Sequence, residues 1–545
     1  MKIIYQGKTK EIEKPKKVKD IFKKECKDTN IIACICNNQI RSLNYEISED
    51  TEVELIDISH TDGMRIYIRG LCYIMAKAFH ELYPNALLTV KYQLSNSMYY
   101  VVENMDVTNK MIQNVHKRMD EIIAQDLPIK KIIMAKEEAK KLYDKYHTLR
   151  GIAQLDNPVK QTVSLYYCEE YFDYYYGTMP ISTGYLKIYD IAKYKDGFII
   201  RYPSTKDVTK LQKFKEYDKL LAALDDYEHI HNLLDINTLY KLNRAIKEGE
   251  AKNIVLLDEA LHEKRLSRIA DDIASKKDVK MILIAGPSSS GKTTFAQRLG
   301  LQLQLNGLRP RTLSVDNYFV ERENNPKDEN GQYDFETIDA IDIDLLNDNI
   351  LRLLKGEEVS LPTFDFTTGK KIYKGNMMKM NEEDVLVIEG IHCLNDKLTL
   401  QIPKEKKYKI YISALTVLNI DYYNRISTTD SRLLRRIVRD YQFRGYSALH
   451  TLRMWPSVNK GEKKNIFPYQ EEANIMFNTS LVYEISVLKS YAEPLLRAIS
   501  SSEKEYAEAK RLLEFLSYFE PIPNDLVPTN SLLREFIGGG DFKYD

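Results

Sequence analysis

The stretch that decides the fold is Met281–Thr294, which reads MILIAGPSSSGKTT. Its opening run, Met281–Ala285, is wholly apolar and ends at a glycine, which is typical of a buried strand. The residues that follow, Gly286–Thr293, spell a complete G-x-x-x-x-G-K-[ST] motif. From Ala296 onward, apolar residues recur at helical spacing until Asn306-Gly307 ends the pattern. This strand–loop–helix context predicts a phosphate-binding loop.

The chemistry of such a loop follows from its residue types. Its glycines let backbone N–H groups approach phosphate oxygens, and the helix N-terminus adds a partial positive charge. We expect Lys292 to reach the β- and γ-phosphates of ATP and Thr293 to offer its hydroxyl to Mg²⁺. The loop alone leaves ATPase, GTPase and kinase open. The predicted ATP-binding residues are Gly286, Pro287, Ser288, Ser289, Ser290, Gly291, Lys292, Thr293 and Thr294.

Carboxylates follow two of the neighbouring strand-like runs. Asp316 comes directly after Thr312–Val315, and a kinase needs such a carboxylate to accept the proton of the acceptor hydroxyl. An Asp that caps a turn is the competing interpretation. Glu389 follows Val385–Ile388 and is predicted to belong to the magnesium shell, directly or through water, because Mg²⁺ dehydrates reluctantly.

A basic stripe lies farther along the chain. Arg432, Arg435, Arg436 and Arg439 fall at i, i+3, i+4 and i+7, which places them on one face of a helix. Such a stripe is usually solvated, but beside a phosphoryl-transfer site it can clamp the transferring charge.

The order of the elements predicts the fold class. Strand-like runs alternate with helical ones from residue 280 onward, which indicates an α/β domain: a P-loop NTPase parallel sheet with helices on both faces. We predict a small β-rich module over residues 1–60, an α+β domain over 61–215, a helical connector over 216–278, the P-loop domain over 279–495, and a C-terminal helix and tail over 496–545.

Composition narrows the possible partners and compartment. Lys plus Arg and Asp plus Glu both number 79 among the 545 residues, so nucleic-acid binding is unlikely and no charge draws the chain to a membrane. No apolar run approaches the roughly 20 residues of a membrane-spanning helix, and the first residues lack a secretory pattern. The six cysteines form no C-x-x-C pair, which favours a reducing cytoplasm over a disulfide framework.

Several motifs of the C-terminal half occur together in one order. They are GPSSSGKTT, LSVDNYF, YDFETIDAID, LPTFDF, VLVIEGI and RLLRRIVRD. Over about residues 280–480 the chain resembles the uridine kinase and phosphoribulokinase family, and is most similar to the uridine-cytidine kinases. The resemblance implies ATP-dependent phosphorylation of a nucleoside 5′-hydroxyl with Mg²⁺, and suggests a homo-oligomer. The catalytic residues it implies are Asp316 as base, Lys292, and a lid helix with Arg435, Arg436 and Arg439.

The same resemblance implies the substrate-binding residues. Phe335 and Glu336 stand where the family has an aromatic residue and an Asp that hold the ribose. The side chain of Glu336 is one methylene longer than that of the family's Asp. Two departures bear on the base: animal members have Tyr where Phe364 stands and His where Gly369 stands. Loss of those polar groups predicts weaker discrimination between bases. The full implied set is Asp316, Tyr318, Phe335, Glu336, Phe364 and Phe366.

The N-terminal half resembles the two N-terminal domains of threonyl-tRNA synthetase. Ile31–Ile56 is similar to its small ubiquitin-like module, TGS, while Phe79–Pro84 and Leu165–Gly184 are similar to segments of its editing domain. The positions of that domain's His and Cys pairs are occupied here by Arg69, Tyr73, Tyr175 and Met179. None of these is a good ligand for a borderline metal, so we predict that editing is lost. Regulation, RNA binding and structural support remain open as roles.

Three functions therefore compete. The leading one is a pyrimidine nucleoside kinase that acts in nucleoside salvage. A kinase for another sugar or sugar phosphate, as in phosphoribulokinase, is its nearest alternative. An RNA-binding protein that uses ATP as a switch is suggested by the synthetase-like half, but the neutral net charge and the acceptor-side motifs count against it.

Overall fold

The first region of the chain is a small β-rich module. The computed structural model describes residues 1–146, 155, 161–327, 331, 333–365 and 368–543. A five-stranded sheet in the order β2-β1-β7-β4-β5 covers a core that includes Ile3, Val18 and Ile47. Its elements are β1 (Lys2–Tyr5), β2 (Lys8–Glu11), β3 (Lys16–Lys17), α1 (Val18–Ile21), β4 (Ile31–Cys36), β5 (Gln39–Ser42), β6 (Glu46–Ile47) and β7 (Thr51–Asp57).

The second region is α+β and is built around one long helix. This helix, α2, begins after His60, whose side chain accepts a hydrogen bond from Asp62 N, and it ends before Pro84. The elements here are α2 (Thr61–Leu82), β8 (Leu88–Gln93), β9 (Ser97–Val102), α3 (Asn109–Ala124), β10 (Lys130–Ala135), α4 (Lys136–Tyr146), β11 (Thr162–Cys168), β12 (Tyr171–Tyr174), β13 (Asp190–Tyr194) and β14 (Gly197–Arg201).

Helices connect this region to the C-terminal half. They are α5 (Asp218–Leu233), α6 (Leu239–Lys247) and α7 (Ala251–Ser275). Leu220, Leu221 and Leu224 of α5 are buried, as their helical spacing predicts. The last of these helices, α7, packs directly on the helix that follows the phosphate-binding loop.

The C-terminal half contains a five-stranded parallel sheet in the order β16-β21-β15-β22-β23. This confirms the predicted fold class. Its elements and those around it are β15 (Met281–Ala285), α8 (Lys292–Leu305), β16 (Arg309–Ser314), α9 (Ile343–Leu354), β17 (Val359–Ser360), β18 (Thr363–Asp365), β19 (Lys370–Ile372), β20 (Met377–Met378), β21 (Asp384–Glu389), β22 (Lys407–Ser413), α10 (Thr428–Arg444), α11 (Ala448–Asn465), β23 (Ile475–Asn478), α12 (Glu484–Arg497), α13 (Tyr506–Leu516) and α14 (Arg534–Ile537).

Helices cover both faces of this sheet, as predicted. Alternate residues of β15 point to opposite sides. Ile282 and Ile284 pack with residues of α7 and α8, whereas Leu283 packs with residues of α9 such as Ile350. Because β15 is central and buried on both faces, it reads as a continuous apolar run in the sequence.

The two halves of the chain share a hydrophobic core. Tyr143 of α4 and Leu165 of β11 belong to the same buried cluster as Leu434 of α10 and Leu512 of α13. The N-terminal half is therefore packed into the C-terminal half and is not tethered through the connector alone.

Candidate active site

The phosphate-binding loop has the backbone that its glycines predict. Gly291 adopts a left-handed conformation with φ of 86°, and α8 begins at the next residue. At Gly286 an added Cβ would lie 2.2 Å from the carbonyl oxygen of Ile412, so only glycine fits there. The hydroxyls of Ser289 and Ser290 are buried without a hydrogen-bond partner among the described residues. The loop therefore presents unused polar groups at the carboxyl end of the sheet.

Lys292 lies back over this loop. Its Nζ donates to the carbonyl oxygens of Gly286 at 3.1 Å and Pro287 at 3.4 Å. Weak neutral acceptors such as these are readily exchanged for phosphate oxygens, because charged hydrogen bonds are about twice as strong as neutral ones.

The predicted arginine stripe faces the loop and is not solvated. Arg432 Nη1 donates to the carbonyl oxygen of Ser288 at 3.2 Å, and Arg436 Nη1 donates to the hydroxyl of Ser288 at 2.9 Å. Arg435 is fully buried, where it pairs with Glu484 and donates to the carbonyl oxygen of Thr479. Arg436 contacts the loop and retains 15% side-chain exposure, so it can reach a ligand there.

Arg439 contributes differently from its neighbours. Its guanidinium donates to the carboxylate of Asp440, which also accepts from Arg436 at 3.2 Å. Asp440 therefore fixes the orientation of both side chains at the edge of the site.

Two carboxylates meet where β16 and β21 end. Ser314 and Glu389 are register partners, and the hydroxyl of Ser314 donates to the Glu389 carboxylate at 2.9 Å. Desolvation and the nearby Asp316 charge raise the pKa of Glu389 to about 7, although Lys292 opposes the shift. Desolvation also raises the pKa of Asp316, and the charge of Lys292 lowers it. The Asp316 side chain is exposed, although protein surrounds it on most sides. Asp316, Glu389 and Lys292 thus form one electrostatic cluster.

Glu336 lies within electrostatic range of this cluster. Desolvation and the charge of Glu462 raise its pKa to about 7, while Arg436 and Lys292 lower it. A Cβ added to Gly461 of α11 would lie 2.6 Å from the Cβ of Glu336, so the absence of a side chain at Gly461 makes room for Glu336.

An aromatic wall lies beside Glu336. Phe319 packs against Phe364 with ring centroids 5.5 Å apart and against Phe335 at 6.2 Å. Phe335 remains exposed at its rim, whereas Phe364 is buried. Tyr318 is buried in the core below, where its hydroxyl accepts a hydrogen bond from Asn349. Phe366 lies outside the described residues.

Arg322 occupies space beside Gly369 that a longer side chain would need. Gly369 has φ of 73°, and an added Cβ would lie 2.7 Å from the Cβ of Arg322. A histidine at residue 369 would therefore be strained as well as crowded.

Thr294 is engaged by the C-terminal end of the chain. Its N–H donates to Glu535 Oε2 at 3.2 Å, and its hydroxyl donates to the same oxygen at 2.6 Å. A second carboxylate, that of Glu462, accepts from Ser288 N at 2.9 Å and pairs bidentately with Arg432. Acidic side chains thus contact the phosphate-binding loop at both of its ends.

The donor set at the strand ends fits a magnesium ion. Thr293 supplies a hydroxyl, while Asp316 and Glu389 supply carboxylates that repel each other and would be neutralised by a cation. Within the described residues, no group of three or more His, Cys, Asp and Glu side chains is arranged to hold a metal by itself.

The positions aligned with the synthetase editing centre also come together. Tyr73 packs edge-on against Tyr175 with centroids 5.5 Å apart, and Arg69 donates to the carbonyl oxygen of Thr178. The Tyr73 hydroxyl donates to the carbonyl oxygen of Tyr166 at 3.0 Å, and Met179 is buried beside these residues. The centre is filled by mutually packed side chains.

The model of the Phosphoribulokinase / Uridine kinase family matches residues 281–486. Those residues are similar to the domain that defines that family. The uridine kinase of Schizosaccharomyces pombe is 29% identical over 191 residues, which are 35% of this chain and 38% of that protein. The uridine kinase of Ureaplasma urealyticum is 26% identical over 200 residues, 36% of this chain and 86% of that protein.

The N-terminal half is similar to a different class of protein. The threonine–tRNA ligase of Marinobacter nauticus is 29% identical over 159 residues, 29% of this chain and 25% of that protein. This chain spans about a quarter to a third of the length of such ligases. Both resemblances drawn from the sequence motifs are thereby confirmed. Among the helices of the described residues, none is long and apolar enough to cross a membrane.

Sequence reasoning missed the acidic partners of the loop. Glu462 follows no recognisable motif, and Glu535 lies 241 residues from Thr294 along the chain. Only the three-dimensional packing of α11 and α14 brings them to the loop.

Proposed function

We propose that this chain is an ATP-dependent kinase that phosphorylates the 5′-hydroxyl of a pyrimidine nucleoside in nucleoside salvage. The observation that carries the proposal is that Asp316, which follows β16, lies within electrostatic range of Lys292 and Glu389 and is exposed. A carboxylate so placed can accept a proton from a hydroxyl that lies between it and the loop.

The proposed reaction divides the work among named residues. The substrate hydroxyl loses its proton to Asp316 as its oxygen bonds to the γ-phosphorus, and the bond from that phosphorus to the β–γ bridging oxygen breaks to release ADP. Lys292 and Arg436 would offset negative charge that gathers on the transferring group. Mg²⁺, held by Thr293 and Glu389, would neutralise phosphate charge.

The aromatic wall supports a nucleoside as the acceptor. Phe335 at the exposed rim and Phe364 behind it offer apolar faces on which a base can stack, and Glu336 can accept hydrogen bonds from ribose hydroxyls. The uridine kinases among the relatives act on such an acceptor by name.

The decisive experiment measures ADP release with the full-length protein across uridine, cytidine, a purine nucleoside and sugar phosphates. We expect turnover with uridine or cytidine, and a loss of about 10²–10⁴-fold in kcat for Asp316→Asn with ATP binding retained. Asp348→Asn on α9 is a matched control, because Asp348 is 62% exposed. Turnover with only a sugar phosphate would identify the other kinase class, and near wild-type turnover of Asp316→Asn would remove Asp316 as the base.

A further inference from the structure

The end of the chain forms a compact strap across the phosphate-binding loop. We call residues 528–543, which contain α14, the C-terminal strap. Arg534 closes it on itself by donating to the carbonyl oxygens of Pro528 at 3.3 Å and Gly538 at 3.1 Å. Thr529 and Asp541 also bond to each other at 2.7 Å. The strap is therefore internally ordered, and its apolar residues Leu533 and Phe536 anchor it in the core.

Its carboxylate sits at a helix terminus that is suited to phosphate. Thr294 is the third residue of α8, so its N–H has no partner within the helix. Such N-terminal N–H groups, aligned with the helix dipole, bind anions. Glu535 Oε2 accepts from this N–H at 3.2 Å and from the Thr294 hydroxyl at 2.6 Å. The strap thus places its own anion at the start of the helix.

Other contacts of the strap fix this arrangement. Leu532 lies against the loop so closely that a Cβ added to Gly291 would be 2.7 Å from its Cδ2. The ring of Phe536 lies 5.0 Å below the guanidinium of Arg435. Leu532, Glu535 and Phe536 consequently cover both the loop and the arginine helix.

The contact holds Glu535 through neutral donors only. Glu535 is 8% exposed, and its hydrogen-bond partner Thr294 is neutral. Hydrogen bonds between a carboxylate and neutral donors are weaker than those to a cationic partner. The negative charge of Glu389 is also close enough to interact unfavourably with it. Glu535 is thus poised to leave when a stronger anion arrives.

We infer that the C-terminal strap is an internal competitor of the nucleotide, with Glu535 occupying the N-terminus of α8 until the phosphates of ATP displace it. The inference rests on the proposed function, because it regulates the same site. Two anions cannot share the Thr294 donors, so ATP binding requires the Glu535 side chain to leave them. The apparent affinity for ATP is then reduced by the fraction of molecules in which Glu535 occupies these donors.

The test measures MgATP binding to the full-length protein by calorimetry, with Glu535→Gln, Glu535→Ala and the control Asp525→Asn. Glutamine keeps the shape but removes the charge, so it remains informative if the alanine variant does not fold. Asp525 is an exposed carboxylate that precedes the strap. We expect Kd to fall about tenfold or more for both Glu535 variants, because Glu535 occupies the Thr294 donors in most molecules, and to stay unchanged for Asp525→Asn.

Hydrogen exchange of the full-length protein provides a second, independent measurement. We expect MgATP to accelerate amide exchange in residues 528–543 while slowing it in residues 286–294. Unchanged or weaker MgATP binding in both Glu535 variants, with no faster amide exchange in the strap, would overturn the proposal of an internal competitor and leave the kinase proposal intact. Failure of every variant, wild type included, to bind MgATP would overturn both.

Discussion

Two places in this molecule gather the side chains that would do chemistry, and they differ in how those side chains are satisfied. Beside the phosphate-binding loop, the charged side chains of Asp316, Glu389 and Lys292 interact with one another electrostatically. At the editing-like centre, Tyr73 and Tyr175 pack ring to ring in the core. One centre gathers partly exposed charged groups, whereas the other buries aromatic rings in the core.

The difference teaches how a scaffold can persist after its chemistry has been replaced. The backbone of the N-terminal half still brings α2 against the segment that follows β12, as the contacts from Arg69 and Tyr73 demonstrate. Aromatic side chains fill the space between them and gain packing energy. A relative's reaction therefore cannot be assigned from the fold alone.

Removal of the positive charge of Lys292 gives the largest expected effect on activity. We predict that Lys292→Ala lowers kcat/KM by about 10³-fold or more, because the variant loses charge stabilisation of the transferring group. The measurement is steady-state ADP release, with Lys264→Ala on the surface of α7 as the control. Equal activity in the two variants would show that the loop is not the reaction centre.

Truncation of a side chain in the other centre should affect stability. We predict that Tyr73→Ala lowers the free energy of unfolding by about 3–5 kcal/mol, because a fully buried aromatic side chain leaves a cavity. Denaturant titration followed by fluorescence tests this, with Tyr441→Ala, at a site 54% exposed, as the control. Asp316→Asn should leave the midpoint of the denaturant transition unchanged. A destabilisation by Asp316→Asn as large as that by Tyr73→Ala would show that the two centres do not differ in their contribution to stability.

Selectivity for the base should be modest. Because Phe364 and Gly369 replace polar side chains, we predict that kcat/KM values for uridine, cytidine and thymidine lie within about 10–200-fold of one another. Stacking on the aromatic wall tolerates different bases. If uridine exceeded every other nucleoside by more than about 10³-fold, a polar group outside these positions must read the base.

The last prediction concerns the editing-like centre, for which we expect neither metal binding nor activity. We predict that the purified protein contains no stoichiometric zinc and does not deacylate seryl-tRNA, because Arg69, Tyr73, Tyr175 and Met179 replace the residues of the editing centre. Elemental analysis and a deacylation assay test the two parts. Either zinc at one equivalent or measurable deacylation would mean that the N-terminal half retains chemistry of its own.

The sequence predicted the elements best where the pattern is local. Met281–Ala285 and Ile31–Cys36 are strands with those same bounds. The pattern of Arg65–Tyr83 predicts a helix, which begins earlier, at Thr61, because the side chain of His60 caps its first turn. The tyrosine-rich run from Tyr166 to Tyr176 predicts a strand region, and β11 and β12 pair there as a hairpin that ends at Tyr174.

Prediction of the site was weaker wherever contacts span the chain. The motif locates the loop, but the burial of Arg435 depends on Glu484, and the engagement of Thr294 depends on Glu535. No local periodicity encodes such pairs, because they form only when α10, α12 and α14 pack together. The roles of Arg435, Arg436 and Arg439 in catalysis remain predictions.

The shared arginine network has a consequence for how this protein can evolve. Arg65 of α2 donates to Glu508 of α13 at 3.0 Å. Arg511, also on α13, donates two hydrogen bonds to the carboxylate of Asp430 on α10. If the N-terminal half were lost, Glu508 and Asp430 would keep only Arg511 between them. Partly buried charges without partners are strongly destabilising. The two halves are therefore joined by shared charges as well as by a shared core, so a substitution at Arg65 in one half alters the charge balance of Glu508 in the other.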